Sequence, residues 1–250
     1  VKQMKQLIDA GISANEAAGQ LLAQVSEPRV EALDPEVDPY ELSVTRIVEA
    51  AARLDAAALA GQIRRAVMLD SGVVAFERVL RPALAEIGDR WHAGELSVAS
   101  EHFASHLISA ATLDLLRVVA VPADAPTVVL GCLAEEQHVL PLYGAALELA
   151  SWGYRPFILG ARTPPTAIAR ARAALAPDII GLSATMTPEP PSVARELVYA
   201  YADACLDVPL VIGGASAEAL ATFVRARGAH VMPADAAARR RLLAQLLSRA

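Results

Sequence analysis

The stretch TVVLGCLAEEQHVLPLYGAALELASWGYRPFILG, residues 127–160, decides the fold. It opens on a β-branched apolar run and passes through a polar loop into LYGAALELASWG, whose apolar spacing is helical. It closes on a second strand-like run, RPFILG. A strand, a crossover helix and a strand of this length read as one unit of a parallel sheet. The rhythm continues downstream with a helix through AIARARAAL, the run DIIGLSA, a helix through VARELVYAYADA, PLVIGG, a helix through EALATFVRARG, AHVM, and a last helix from Asp235 onward. Five strands alternating with five helices predict an α/β fold over 122–250, an open, doubly wound five-stranded parallel sheet. Ligands of such sheets bind beyond the carboxyl ends of the strands. Attention therefore falls on the residues following Leu133, Gly160, Ser183, Ile212 and Met232.

Upstream, residues 40–121 keep a helical apolar period almost throughout. Segments near 43–54, 56–69, 73–92 and 97–119 predict a four-helix bundle, with breaks at Gly72 and Gly94 and with Ser97 capping the last helix. Residues 25–39, rich in proline and acidic side chains, read as a linker. Residues 1–24 read as two short helices, the first ended by Gly11 and the second capped by Ser13. Two such helices cannot form a domain alone, so a preceding portion of a domain is expected.

Composition narrows the function. Twenty-two basic against 28 acidic residues give a net charge of −6, which advertises neither nucleic-acid nor anionic-membrane binding by the bulk of the chain. Cys132 and Cys205 sit singly in apolar runs, which argues against a disulfide framework or a zinc site and for a reducing compartment. No apolar stretch reaches the ~18 residues of a membrane span, and a cytoplasmic location is expected.

At the end of the first strand run stand Glu136 and His138. A lone histidine in such a loop is commonly exposed or already satisfied. A carboxylate two residues earlier, however, can hold one imidazole nitrogen and leave the other basic toward a metal. The third run ends at Ser183 and Thr185, hydroxyls able to contact a buried ligand, and the fourth at Gly213 and Gly214, where a bulky group can approach the backbone. A helix cap and an ordinary strand-to-helix turn are the plain alternatives for the serine and the glycines. No Gly-x-Gly-x-x-Gly follows the first strand, and no Walker loop occurs, so a dinucleotide or nucleoside triphosphate has no motif to bind. In the bundle, Trp91 and His92 end one helix, while Val98, Glu101 and His102 share a face of the next. A packed tryptophan and a solvated polar face are again the plain alternative; an aromatic plane beside two histidines and a glutamate also suits a polar ligand with a flat part.

Glu-x-His, Ser-x-Thr and Gly-Gly at intervals of 45 residues (138 to 183) and 30 residues (183 to 213) resemble the signature of base-off, histidine-on cobalamin-binding proteins, whose α/β domain is Rossmann- or flavodoxin-like. Glu136 replaces the usual aspartate and Pro141 the usual glycine. The resemblance implies His138 as the lower cobalt ligand, Ser183 and Thr185 lining a slot for the displaced nucleotide tail, and Gly213 and Gly214 making room for it. Trp-His, six residues, then Val-x-x-Glu-His is similar to the sensing bundle of the CarH and LitR family of light-dependent transcriptional regulators. That likeness implies adenosylcobalamin as chromophore, with Trp91 over the adenosyl group, Val98 beside it, Glu101 bonded to its hydroxyls and His102 steadying the same region. It implies His92 as the upper cobalt ligand after light. It also implies a repressor rather than an enzyme, a dark homo-tetramer on operator DNA that light dissociates. MKQLIDAGISANEAA is similar to the end of a MerR-type winged-helix DNA-binding domain. Two alternatives stay open: a corrinoid methyl carrier of a methyltransferase, and a cobalamin-binding antirepressor that does not contact DNA.

Overall fold

The structure, a computed structural model, describes residues 6, 9, 10 and 38–248. The expectations for the amino-terminal helices and for nearly all of the linker lie outside these residues. The chain divides into two units, Val1–Leu42 and Ser43–Ala250, each taken by itself.

Helix α1 (Pro39–Ala52) ends where Leu54 turns to φ 52°, and the side chain of Asp55 then caps α2 (Ala56–Leu69) by accepting from the Ala58 amide at 2.9 Å. Leu59, Ile63 and Ala66 form the buried stripe of α2 at helical spacing. The helix expected over 73–92 is interrupted. A short α3 (Gly72–Ala75) runs into a π-helical turn, Phe76–Leu80, before α4 (Arg81–His92), and the Arg81 amide reaches back five residues to the Phe76 carbonyl. The cause is Pro82, which has no amide for the next α-type bond and whose ring would press on the carbonyl four residues back; widening the preceding turn relieves both. Gly94, at φ 75°, turns the chain into α5 (Val98–Val118), capped by the Ser97 hydroxyl on the Ser100 amide at 3.1 Å.

The second part alternates β1 (Thr127–Cys132), α6 (Leu140–Ser151), β2 (Arg155–Gly160), α7 (Pro165–Leu175), β3 (Ile179–Ser183), α8 (Pro191–Cys205), β4 (Leu210–Gly213), α9 (Ala221–Ala226), β5 (His230–Val231) and α10 (Ala236–Leu247). All pairings are parallel and the strand order is β2-β1-β3-β4-β5, so the fold is the doubly wound α/β arrangement the sequence predicts. One face of the sheet packs on α6 and α10 through Leu142, Ala146, Leu149, Leu243 and Leu246. The other packs on α7, α8 and α9 through Ile168, Val198, Tyr201 and Val224. Pro141, in the first turn of α6, sits where a missing amide hydrogen costs nothing. The register sets Cys132 opposite Ser183 and Ser183 opposite Gly213, bringing three strand ends level.

Candidate functional site

Strand order reverses between β1 and β3, and a crevice must open where their following loops part in opposite directions. Glu136 lies there, 2% exposed. One of its oxygens accepts from the His138 amide at 2.8 Å and pairs with His138 Nδ1 at 2.5 Å. The other accepts from the Thr185 amide at 2.8 Å, the Met186 amide at 3.0 Å and the Thr185 hydroxyl. Burial alone would raise the carboxyl above its ordinary 4.5, but these donors outweigh it and hold the group at about 2. Glu136 is thus a fixed anion that ties the β1 loop to the β3 loop. The Ser216 hydroxyl extends the tie to the β4 loop by donating to the Thr185 carbonyl at 2.9 Å, and the Arg162 amide brings in the β2 loop through the Glu136 carbonyl.

His138 is the exposed member of this cluster, with 62% of its side chain open to solvent. Its Nδ1 is engaged by Glu136, so Nε2 is the nitrogen left to act as a ligand, with its lone pair enriched by the carboxylate behind the ring. Among the described residues no three His, Cys, Asp or Glu side chains gather into a metal cage. Burial, with Glu136 nearby, pushes the Cys132 thiol up to about 11, which keeps it protonated and unavailable as a thiolate. A single backed imidazole suits a metal only if that metal arrives with its other ligands already in place.

Beside this loop a cavity of about 1310 Å³ opens between the sheet and the α6 and α10 side, bordered also by the π turn. It reaches from Ser183, Thr185 and Gly213 at the carboxyl ends down to Val128, Ile179 and Val211 near the strand starts. Its sheet side is apolar except for the Ser183 hydroxyl, a buried oxygen with no hydrogen-bond partner among the described residues. An orphaned hydroxyl in an apolar slot is costly unless a ligand satisfies it. Ser183 and Gly213 therefore sit in the slot as expected from sequence, whereas the Thr185 hydroxyl, although it borders the cavity, is committed to Glu136. The glycine pair answers first to the chain itself. Gly214 holds φ 104°, and a Cβ there would overlap the Ala184 carbonyl; one on Gly213 would stand 3.1 Å from Met232 Cβ.

The bundle residues form two pairs apart from that cavity. The Trp91 and His92 rings meet edge to face with centroids 4.6 Å apart, and His92 Nδ1 lies 2.8 Å from the Gly88 carbonyl, to which it donates. Glu101 binds His102 Nδ1 with one oxygen and accepts from the Ser105 hydroxyl at 2.6 Å with the other. Trp91 is 39% and Val98 49% exposed. Ser105, Ser216 and the Met186 amide were not nominated from sequence. Only Ser105, one turn beyond Glu101, carried a local signal.

Residues 44–113 match the family model of one B12 binding domain and residues 126–242 that of another. The chain is 32% identical over 245 residues to the HTH-type transcriptional repressor CarH of Myxococcus xanthus, an alignment that takes in 94% of this chain and 80% of that protein. It is 33% identical over 138 residues to the HTH-type transcriptional repressor CarA of the same organism, spanning 55% of this chain and 46% of CarA. Among solved structures, the monomethylamine corrinoid protein of Methanosarcina barkeri shares the fold with a TM-score of 0.63 at 15% identity, over 82% of this chain and 99% of that one.

Proposed function

This chain belongs to the family of the repressor CarH, and from that premise we propose that it is a light-responsive, adenosylcobalamin-dependent transcriptional regulator rather than an enzyme. The observation that carries the reading is the Glu136–His138 pair: a buried carboxylate, ionised down to about pH 2, engages Nδ1 of an exposed imidazole and leaves Nε2 as the nitrogen for a ligand, beside a slot with one hydroxyl unsatisfied among the described residues. Those residues fit cobalamin. His138 would ligate cobalt from below, and the slot past Ser183 and Gly213 would take the displaced nucleotide tail.

The bundle supplies the upper side. Trp91 and Val98 offer exposed apolar surface for the adenosyl group, Glu101 offers carboxylate oxygens to its hydroxyls, and His102 steadies Glu101. Bound adenosylcobalamin supplies a cobalt–carbon bond that visible light breaks. His92, whose Nδ1 donates to the Gly88 carbonyl, would be the bundle residue to hold cobalt after illumination, at the cost of that one hydrogen bond. In this reading the dark protein is a homo-tetramer on operator DNA, contacted through a MerR-type amino-terminal domain, and light dissociates it. Among the described residues no helix is long and apolar enough to cross a membrane.

The test is reconstitution with adenosylcobalamin in the dark followed by green light. The spectrum and the gel-filtration position should both change, and neither changing would refute the switch. A second reading, a corrinoid methyl carrier, draws support from the exposure of Trp91 and Val98, since a carrier needs an open upper face. Exchange of a cobalt-bound methyl group with a methyltransferase partner would favour it.

A further inference from the structure

Helices α6 and α10, which cover one face of the sheet, are joined by a side-chain pair far apart in sequence. Arg239 of α10 donates to Glu148 of α6 through two nitrogens, Nε to Oε2 at 2.8 Å and Nη2 to Oε1 at 2.5 Å, and its remaining Nη1 donates to the Ala234 carbonyl at 2.5 Å. Both side chains are largely shielded, 20% and 13% exposed, and both line the 1310 Å³ cavity. Two other ion pairs that contribute to this lining, Arg81 with Glu77 and Arg225 with Glu218, are more exposed and each stays within a single stretch of chain. A forked guanidinium–carboxylate contact fixes direction as well as distance, which a lone ammonium would not do.

The position of the pair matters because the slot is a gap in what would otherwise be a closed layer. On its sheet side Gly181 has no side chain, and a Cβ there would come within 2.8 Å of Leu130 Cδ2. From Ile179 to Ser183 the slot follows β3 for about 13 Å. A gap of that length invites collapse of the two covering helices onto the sheet, since burying its apolar wall is favourable. A rigid contact between α6 and α10 resists that closure and keeps the slot at one width.

We infer that the Arg239–Glu148 pair is a positioning device that braces α6 against α10 and so selects a corrinoid carrying its full nucleotide tail over one that lacks it. The inference rests on the cobalamin reading given above and assigns its selectivity to two residues that touch neither cobalt nor the upper group. The slot admits an elongated, flat, mostly apolar group with one polar atom for Ser183; the brace sets whether such a group gains anything by entering.

The experiment compares aquocobalamin with aquocobinamide, a corrinoid without the tail, in dark absorbance titrations of the full chain. For Glu148→Gln and Arg239→Gln, affinity for cobalamin should fall about tenfold while affinity for cobinamide changes less than about twofold. Arg239→Lys, which keeps the charge and loses the fork, should fall between, and the exchanged pair Glu148→Arg with Arg239→Glu should recover part of the loss. Circular dichroism identifies any variant that does not fold, in which case Arg239→Lys alone decides by the same ratio. Equal weakening toward both corrinoids, or no weakening toward cobalamin, overturns the brace. A wild-type protein that does not prefer cobalamin to cobinamide overturns the cofactor reading itself.

Discussion

The strand-end cluster and the bundle face are built on opposite plans. Around Glu136 the two loops are tied by five contacts to one carboxylate, and His138 Nε2 stands outside those contacts. On the bundle, Trp91, His92, Val98 and His102 are exposed, and their bonds are to near neighbours on their own helix. A site meant to hold one ligand through every state gains from rigidity, whereas one whose contacts must change gains from bonds that break locally and cheaply. The first plan suits a permanent lower ligand and the second a reporter.

The largest test of this contrast is His138→Ala. It should reduce dark cobalamin affinity by about a hundredfold or more in an absorbance titration, because it removes the one imidazole that Glu136 orients. Glu136→Gln keeps the shape but loses the anion and one acceptor, and should weaken binding by about 10- to 100-fold. Equal affinity in that variant would mean that the carboxylate serves only the loops.

The carboxylate also makes a prediction without cofactor. Its folded value of about 2 lies below the ordinary 4.5, so the unfolded chain takes up the proton first as acid is added. Its contribution is present in full above pH 4.5 and is lost progressively down to about pH 2, roughly 3 kcal/mol in all, read as a falling denaturation midpoint. Glu136→Gln should flatten that part of the profile. The smallest expected effect belongs to His92→Ala, which should leave dark affinity within about twofold and alter only the spectrum after illumination.

Much of the fold was legible because β-branched runs and glycine, proline and serine breaks are local signals. Ser97 announced its helix by residue type, and the parallel sheet followed from the alternation of periods. The π turn was not legible as such: the period of 73–92 is helical throughout, and Pro82 in its middle signals a break or a kink without showing that a widened turn absorbs it. The site was legible by type and not by pairing. The residue type of Thr185 suggests a slot hydroxyl, and nothing in the sequence shows that Glu136, 49 positions earlier, claims it. Glu148 and Arg239 lie 91 positions apart, and only the packing of α6 beside α10 makes them partners.

The turn at Phe76–Leu80 has one more consequence. It holds one residue more than an α turn would, and Phe76 is anchored against Gly144 of α6, where a Cβ would strike the ring. Everything after the turn is therefore set in azimuth by about 100° and in height by about 1.5 Å relative to an uninterrupted helix. Trp91 and His92 inherit that offset. Which way these two rings look is thus decided more than two turns away from them, at a proline.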